Sequence, residues 1–384
     1  MRREAEMTRA AAEVDLFLST TRAFLDRDAS IEHVREMHRR GDTYDRDWWR
    51  KAAELGWTSL LVPDELGGGS VSGNGVGDLA SVAEQIGRTV APGPLIPVSA
   101  ALAGLIDASN STQHADMIAT LVEGAAVIAW AVDERGARFG ADPTTVVTKS
   151  TNGYRIDGIK DRVEAGNGCD YYLVTGRADD QTIQVVVPAD APGVTVEPVP
   201  SIDLVRDYAT VRFTGVEVDA DKVVGTPHET PNLIARQSQI AQLLQTCEMI
   251  GILDAVFART VEWARERHSF GRPLASYQAL KHRFADMKMQ LEACRAIVTT
   301  AVRDVGDRSL TAALSVSAAK AYVGEYSAAI VQDCVQLHGG IGVTWEHDLH
   351  VFLRRVELNR TLYGTTEEHQ ENVFVLSDEL AATR

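Results

Sequence analysis

The residues best placed to do chemistry fall in three short runs near the C-terminal end. The first is Arg265-Glu266-Arg267-His268-Ser269-Phe270-Gly271-Arg272-Pro273-Leu274, followed by Tyr277-Gln278. A helix ending in a cation, an aromatic ring and a glycine presents all three together. A guanidinium pairs with a pyrophosphate through two donors, and a ring offers a face or edge to a base such as adenine. The second run is Gln336-Leu337-His338-Gly339-Gly340-Ile341-Gly342-Val343, whose glycines let backbone approach a phosphate or sugar. The third is Leu362-Tyr363-Gly364-Thr365-Thr366-Glu367-Glu368-His369-Gln370. Its Gly-Thr-Thr opens a helix, with Thr365 or Thr366 as N-cap and Glu368 in the first turn, and a helix N-terminus also accepts anions. Taken singly, each run has a plain structural account: a cation complementing a helix dipole, a glycine C-cap, and an N-cap.

These runs need elements to hold them, and the hydrophobic period supplies those in three blocks. Residues 1–122 read as helices: Trp48, Ala52, Leu55 and Trp57 sit near helical spacing, and a segment around Leu79 to Ile86 stops at Gly87. Residues 123–228 read as strands. Short, apolar or β-branched runs such as Tyr171-Tyr172-Leu173-Val174 are separated by turn pairs such as Asn152-Gly153 and Asp157-Gly158. With no helices between them, they predict a compact antiparallel barrel or sandwich. Residues 229–384 return to the helical period. Met249, Ile250, Leu253, Val256, Phe257 and Val261 form one stripe, and an Ala-rich helix runs from about Leu310 to His338. The expected fold is therefore α+β, with an N-terminal helical domain, a central β-barrel and a C-terminal helical bundle.

Composition narrows the function classes. The 384 residues carry a net charge of −16, which argues against sequence-independent nucleic-acid binding. An acidic surface does not exclude a locally basic nucleotide pocket. No uninterrupted apolar stretch approaches the roughly 20 residues that span a bilayer, and Glu4, Glu6, Arg9 and Glu13 interrupt any signal-peptide core. The four cysteines, Cys169, Cys247, Cys294 and Cys334, are isolated and show no metal-ligand spacing. A cytoplasmic protein without metal is expected.

In combination, order and spacing, the Arg-x-x-Phe-Gly turn, the Gln-x-x-Gly-Gly helix end and the Tyr-Gly-Thr helix start resemble the C-terminal bundle of acyl-CoA dehydrogenases. Glu65-Leu66-Gly67-Gly68, Glu84-Gln85-Ile86-Gly87 and Gly158-Ile159-Lys160 extend the resemblance over nearly the whole chain. It implies a C-terminal four-helix bundle, a tetramer, FAD as cofactor and an acyl-CoA substrate, with an electron-transfer flavoprotein as acceptor by family analogy. In that family FAD lies between subunits. Carried over, Arg267, Phe270, Gln278, Gln336, Gly339 and Gly340 reach a neighbour's FAD, and Thr365 matches a threonine that contacts the chain's own.

The resemblance fails where the chemistry should be. The family removes the α-proton with a Glu, either just before Gly-Thr or on the first long bundle helix. Tyr363 and Ala241 occupy those two positions, and no acid stands between Arg236 and Cys247. A phenol of pKa about 10 is a poor base near neutrality. The flavin-cradle stretches are altered as well: Val132-Asp133-Glu134-Arg135-Gly136 and Arg162-Val163-Glu164-Ala165-Gly166 stand where the family carries Thr-Glu-x-Gly-x-Gly-Ser-Asp-like and Trp-Ile-Thr-like segments. This is the pattern of a non-catalytic subunit in an α2β2 assembly with a paralogous partner, as in actinobacterial enzymes acting on steroid side chains. Two alternatives remain open: a self-sufficient homotetramer whose base is displaced to Glu248, Glu367 or Glu368, and a flavin-free structural or regulatory paralogue.

Overall fold

The computed structural model describes residues 2–42 and 44–382, with side chains from residue 11 onward. Six helices come first: α1 (Arg2–Asp28), α2 (Ile31–Arg40), α3 (Arg46–Glu54), α4 (Gly75–Thr89), α5 (Leu95–Asp107) and α6 (Ala115–Val122). Local chemistry sets their ends. Ser30 accepts from His33 N at the start of α2, and Gly41 closes it in the left-handed region. The helix α3 stops at Glu54, so Trp57 lies beyond it and turns back edge-on to Phe24 and Trp48.

Eight strands follow: β1 (Ile128–Ala131), β2 (Val146–Lys149), β3 (Gly153–Glu164), β4 (Tyr171–Ala178), β5 (Gln181–Pro188), β6 (Val194–Val199), β7 (Tyr208–Asp219) and β8 (Val223–Val224). They form one sheet of order β6-β7-β3-β2-β4-β5-β8, with β1 joined to β4. The expectation of antiparallel pairing throughout needs correction, because β1 and β2 both pair with β4 in parallel. Parallel neighbours need a long connection. Residues 132–170, which carry β2 and β3, supply it between β1 and β4, and the buried Lys160–Glu134 pair at 2.6 Å pins the segment that leaves β1.

The C-terminal part begins with α7 (Thr230–Glu266), carrying Pro in its first turn, and a small hairpin of β9 (His268–Ser269) and β10 (Arg272–Pro273). Then come α8 (Gln278–Gly306), α9 (Ala312–His338), α10 (Leu349–Thr361) and α11 (Thr366–Ala382). Helix α9 is central, packed against α7, α8, α10 and α11. A window of α7 is apolar enough to cross a membrane, but most of it is buried in the protein, as in a core helix.

The contact between α4 and α7 corrects a second expectation. Helix α4 does not stop at Gly87; it continues to Thr89 and is capped by Val90 in the left-handed region. Gly87 is there for packing: a Cβ on it would meet the Glu248 carbonyl oxygen at 2.0 Å, and a Cβ on Gly251 would meet that of Glu84 at 1.9 Å. Two reciprocal glycines let these backbones touch.

Candidate functional site

The outward-facing run is built at one end of the bundle. Near the end of α7, Trp263 stacks on His338 at the end of α9, with centroids 5.1 Å apart. That contact brings the first two sequence motifs side by side. Arg267 is the C-cap residue of α7, exposed, with its guanidinium 5.7 Å from the Trp263 ring. It has no carboxylate partner among the described residues. In the hairpin, Phe270 adopts φ 50° and is 97% exposed. The turn is braced by Tyr277, whose hydroxyl donates to Ser269 O at 2.7 Å and whose ring lies 3.9 Å beneath Arg272. Gln278 opens α8, and an Arg283–Asp333 ion pair ties that end of α8 to the end of α9. Gln336, Gly339 and Gly340 are exposed, and a Cβ on either glycine would have nothing within 4 Å. These glycines fill no packing need of their own chain.

The third motif faces inward. Thr365 Oγ1 accepts from Glu368 N at 3.3 Å, and Glu368 returns a carboxylate oxygen to Thr365 N at 2.9 Å. This is a capping box, and it commits the hydroxyl to the start of α11. Glu368 is further engaged by Arg138 at 2.8 Å, while Glu367 is exposed. Tyr363 is buried at φ 57°. Its hydroxyl donates to Glu164 Oε2 at 3.2 Å, and its ring lies 5.9 Å from Trp130 and 5.6 Å from Phe139. Burial, with Glu164 beside it, pushes its phenol far above the ordinary tyrosine range, so it keeps its proton. Ala241 is fully buried in α7. Neither expected position offers a base.

Beside Tyr363 lies a buried charge cluster that periodicity alone did not reveal. Glu248 of α7 accepts from Arg206 Nη2 at 2.8 Å, from Arg355 Nη1 at 2.6 Å and from Asn359 Nδ2 at 3.0 Å. Arg355 of α10 also grips Asp203 at 2.5 and 3.0 Å. Arg206 reaches Glu164 of β3 at 3.2 Å. Burial lifts the Glu164 carboxyl above its usual range, with Arg206 opposing. Burial acts on Asp203 too, but there Arg355 and two backbone N–H groups win and hold it low. Such groups are affordable in a core only when paired. A sequence signal existed, because Phe352, Arg355, Val356 and Asn359 share one face of α10 and its apolar members are core residues.

Lys320 completes the surroundings. Its Nζ donates to Asn359 O at 2.8 Å, to Leu362 O at 2.9 Å and to Gln245 Oε1, without a carboxylate. Gln242 Nε2 and His369 Nε2 both lie within bonding distance of Tyr363 O, at 3.1 and 3.0 Å. The turn between α10 and α11 is therefore held through three carbonyls. A cavity of about 10 Å³ touches Glu164, Ala165 and Arg206 together with Tyr44, Pro94 and Asp207, which is room for one water.

Comparison with known proteins agrees with this architecture. Residues 11–125 match the N-terminal domain of acyl-CoA dehydrogenases and residues 234–374 match the C-terminal domain. The acyl-CoA dehydrogenase IpdE2 of Mycolicibacterium smegmatis is 28% identical over 359 residues, covering 93% of this chain and 96% of the relative. A variant of the Tcur3481–Tcur3483 steroid ACAD superposes with a TM-score of 0.87 at 25% identity, covering 97% of this chain and 99% of that one. The ChsE4–ChsE5 complex from Mycobacterium tuberculosis gives 0.84 at 25% identity, with 96% and 97% covered. The chain belongs to the acyl-CoA dehydrogenase family of oxidoreductases.

Proposed function

We propose that this chain is the non-catalytic subunit of a heteromeric acyl-CoA dehydrogenase, completing an FAD site whose main cradle and base belong to a second, non-identical chain of the family. One observation carries the proposal. The side chains around the expected cradle pack and pair largely with one another, while those aimed at a neighbour are exposed. Inward, Trp130, Phe139 and Tyr363 pack together and Arg206 pairs with Glu164 and Glu248 beside them, so no chemical step is assigned to this chain's own cradle. Outward, the chain fits. Arg267 carries an uncompensated positive charge suited to a pyrophosphate, Phe270 offers a free ring, Gln278 and Gln336 offer amides, and Gly339 and Gly340 leave their backbone open.

Bound in the partner, FAD would accept the β-hydrogen as hydride during α,β-dehydrogenation of an acyl-CoA thioester. The work of this chain is to hold and screen that cofactor. Thr365 is left out of the shared set, since its hydroxyl caps α11. Two similar structures bear paired names, and one of them is described as a steroid ACAD. The paired names support a heteromer, and the steroid ACAD supports, by analogy only, a bulky ring-bearing acyl group; an electron-transfer flavoprotein as acceptor rests on family analogy alone. Glu248 gives the displaced-base alternative little support, since three donors already occupy its carboxylate.

The test is Arg267→Ala in the co-expressed assembly. Flavin absorbance after gel filtration should fall while the unfolding of the isolated chain stays unchanged, because Arg267 is exposed. Flavin occupancy equal to wild type would remove Arg267 from the site.

A further inference from the structure

Behind the outward-facing run, the ends of α7 and α9 and residues 346–348 enclose a cavity of about 280 Å³. It is continuous with the face already described. Trp263 in its wall has the Arg267 guanidinium 5.7 Å from its ring, and His338 in its wall directly precedes Gly339. The charges around it are not balanced. Arg259 pairs with Asp348 at 2.8 Å, and Arg35 reaches the same carboxylate group at 3.3 Å. Glu262, Glu266 and Glu346 also line the cavity, are exposed, and have no cationic partner among the described residues. Glu262 and Glu266 stand four residues apart at the C-terminal end of α7. Like charges at that spacing repel, and the carbonyl end of a helix is itself negative. Helix α9 ends at the same wall, with His338 as its last residue. In the isolated chain this arrangement lowers stability.

The two rings in the wall show what is missing. His338 is only 7% exposed, and its Nδ1 donates to Cys334 O at 2.8 Å. Burial holds this imidazole below the ordinary histidine value, so near neutrality Nε2 is left as a bare acceptor. No described residue donates to it. Trp263 Nε1 is a buried donor without a partner. The cavity therefore offers carboxylates and an imidazole nitrogen to N–H donors, and one N–H to a carbonyl. We infer that it receives a lysine or arginine side chain carried by a segment of the partner subunit. The head group sits among Glu262, Glu266, Glu346 and His338 Nε2, and a backbone carbonyl of the same segment accepts from Trp263 Nε1. A metal ion fits less well, because an indole N–H cannot ligate one and no three ligating groups converge among the described residues. The volume also falls below the roughly 300–1,000 Å³ of small-molecule sites, and suits one long side chain. The inference rests on the heteromeric function proposed above and deepens it by naming the chemistry of the contact.

The experiment combines Glu262→Gln with Glu266→Gln in one chain and takes two readings. One is urea unfolding of the isolated chain. The other is sedimentation of the assembly with a second family member that retains the Glu and the cradle, over a dilution series and at rising NaCl. Carboxylates that served the chain's own fold would move both readings down together, whereas a docking site moves them apart. The isolated double variant should have a folded-to-unfolded ratio about 2–5-fold above wild type, as relief of the like charges and of the helix end requires. Its dissociation constant in the assembly should rise at least about 10-fold and depend less on NaCl. Glu346→Gln should weaken the assembly in the same direction. An assembly constant within about twofold of wild type overturns the inference, and so does an isolated double variant less stable than wild type. Failure of the broader proposal looks different. A wild-type chain that forms no assembly contradicts both, whereas wild-type assembly beside an equally tight double variant removes the docking site alone.

Discussion

Glu248→Gln separates a structural carboxylate from a displaced catalytic base, and the two roles lead to opposite results. The wild-type carboxylate accepts from two arginines and an asparagine, at 2.6–3.0 Å, in a place with almost no solvent. The amide keeps shape but removes a negative charge that faces Arg206 and Arg355. Asp203 still pairs with Arg355, and Glu164 still faces Arg206, so compensation is partial. Breaking one partner of a buried ion pair costs about 3–5 kcal/mol. With that remaining compensation, a loss near the lower figure, about 3 kcal/mol, is expected. The assay is urea unfolding of the isolated chain, with the slope checked so that a shifted midpoint reports stability. Glu248→Gln should unfold at clearly lower urea, and the surviving folded assembly should keep its turnover. A loss under about 1 kcal/mol together with abolished turnover would show that Glu248 is the base, and the cluster would have been misjudged.

Three further outcomes follow from the same geometry. Gly87→Ala and Gly251→Ala should each cost about 1–3 kcal/mol or more in urea unfolding, because the new Cβ meets a backbone carbonyl that cannot swing aside; wild-type stability in both would deny the tight α4–α7 contact. Burial pushes His369 down to about 4, with Lys320 adding to the effect. A depressed folded value means its stabilisation is complete above the ordinary 6.5 and is lost as pH falls from there toward 4, on the order of 3 kcal/mol in all; His369→Gln should flatten that acid limb. Burial also pushes Lys320 down to about 7. The folded chain then disfavours the ammonium, so stability should rise between about pH 7 and 10, and Lys320→Met should remove that rise, both read from unfolding midpoints across pH.

Much of the fold was legible because its signals are local. The switch from a period near 3.6 to alternation and back again marked helix, strand and helix, and α9 ends at His338, just before Gly339, where turn chemistry set it. What escaped was long-range. Gly87 read as a stop because a glycine at a helix end and a glycine under a neighbouring backbone look alike until Glu248 O is placed 2.0 Å away. The parallel pairing of β1 and β2 with β4 depends on the path of residues 132–170 back to β4, which no strand pattern encodes. Tyr363 and Ala241 stand at the two positions where the resemblance places a base, and the structure buries both. The partners that fill the space, Glu164, Arg206 and Arg355, come from elements far apart in the chain and meet only on folding. Charged residues on buried helix faces were the one advance signal.

The most direct test of the central claim is native mass spectrometry of the chain expressed alone and co-expressed with a second family member that retains the Glu and the cradle. The proposed function predicts a flavin-free isolated chain, in keeping with the Tyr363–Glu164 contact and the buried charge cluster at the cradle positions. The proposed function predicts an α2β2 assembly with one FAD per pair, the partner supplying the cradle and Arg267, Phe270, Gln278, Gln336, Gly339 and Gly340 completing it. A homotetramer of this chain carrying one FAD per subunit and turning over an acyl-CoA would contradict the account.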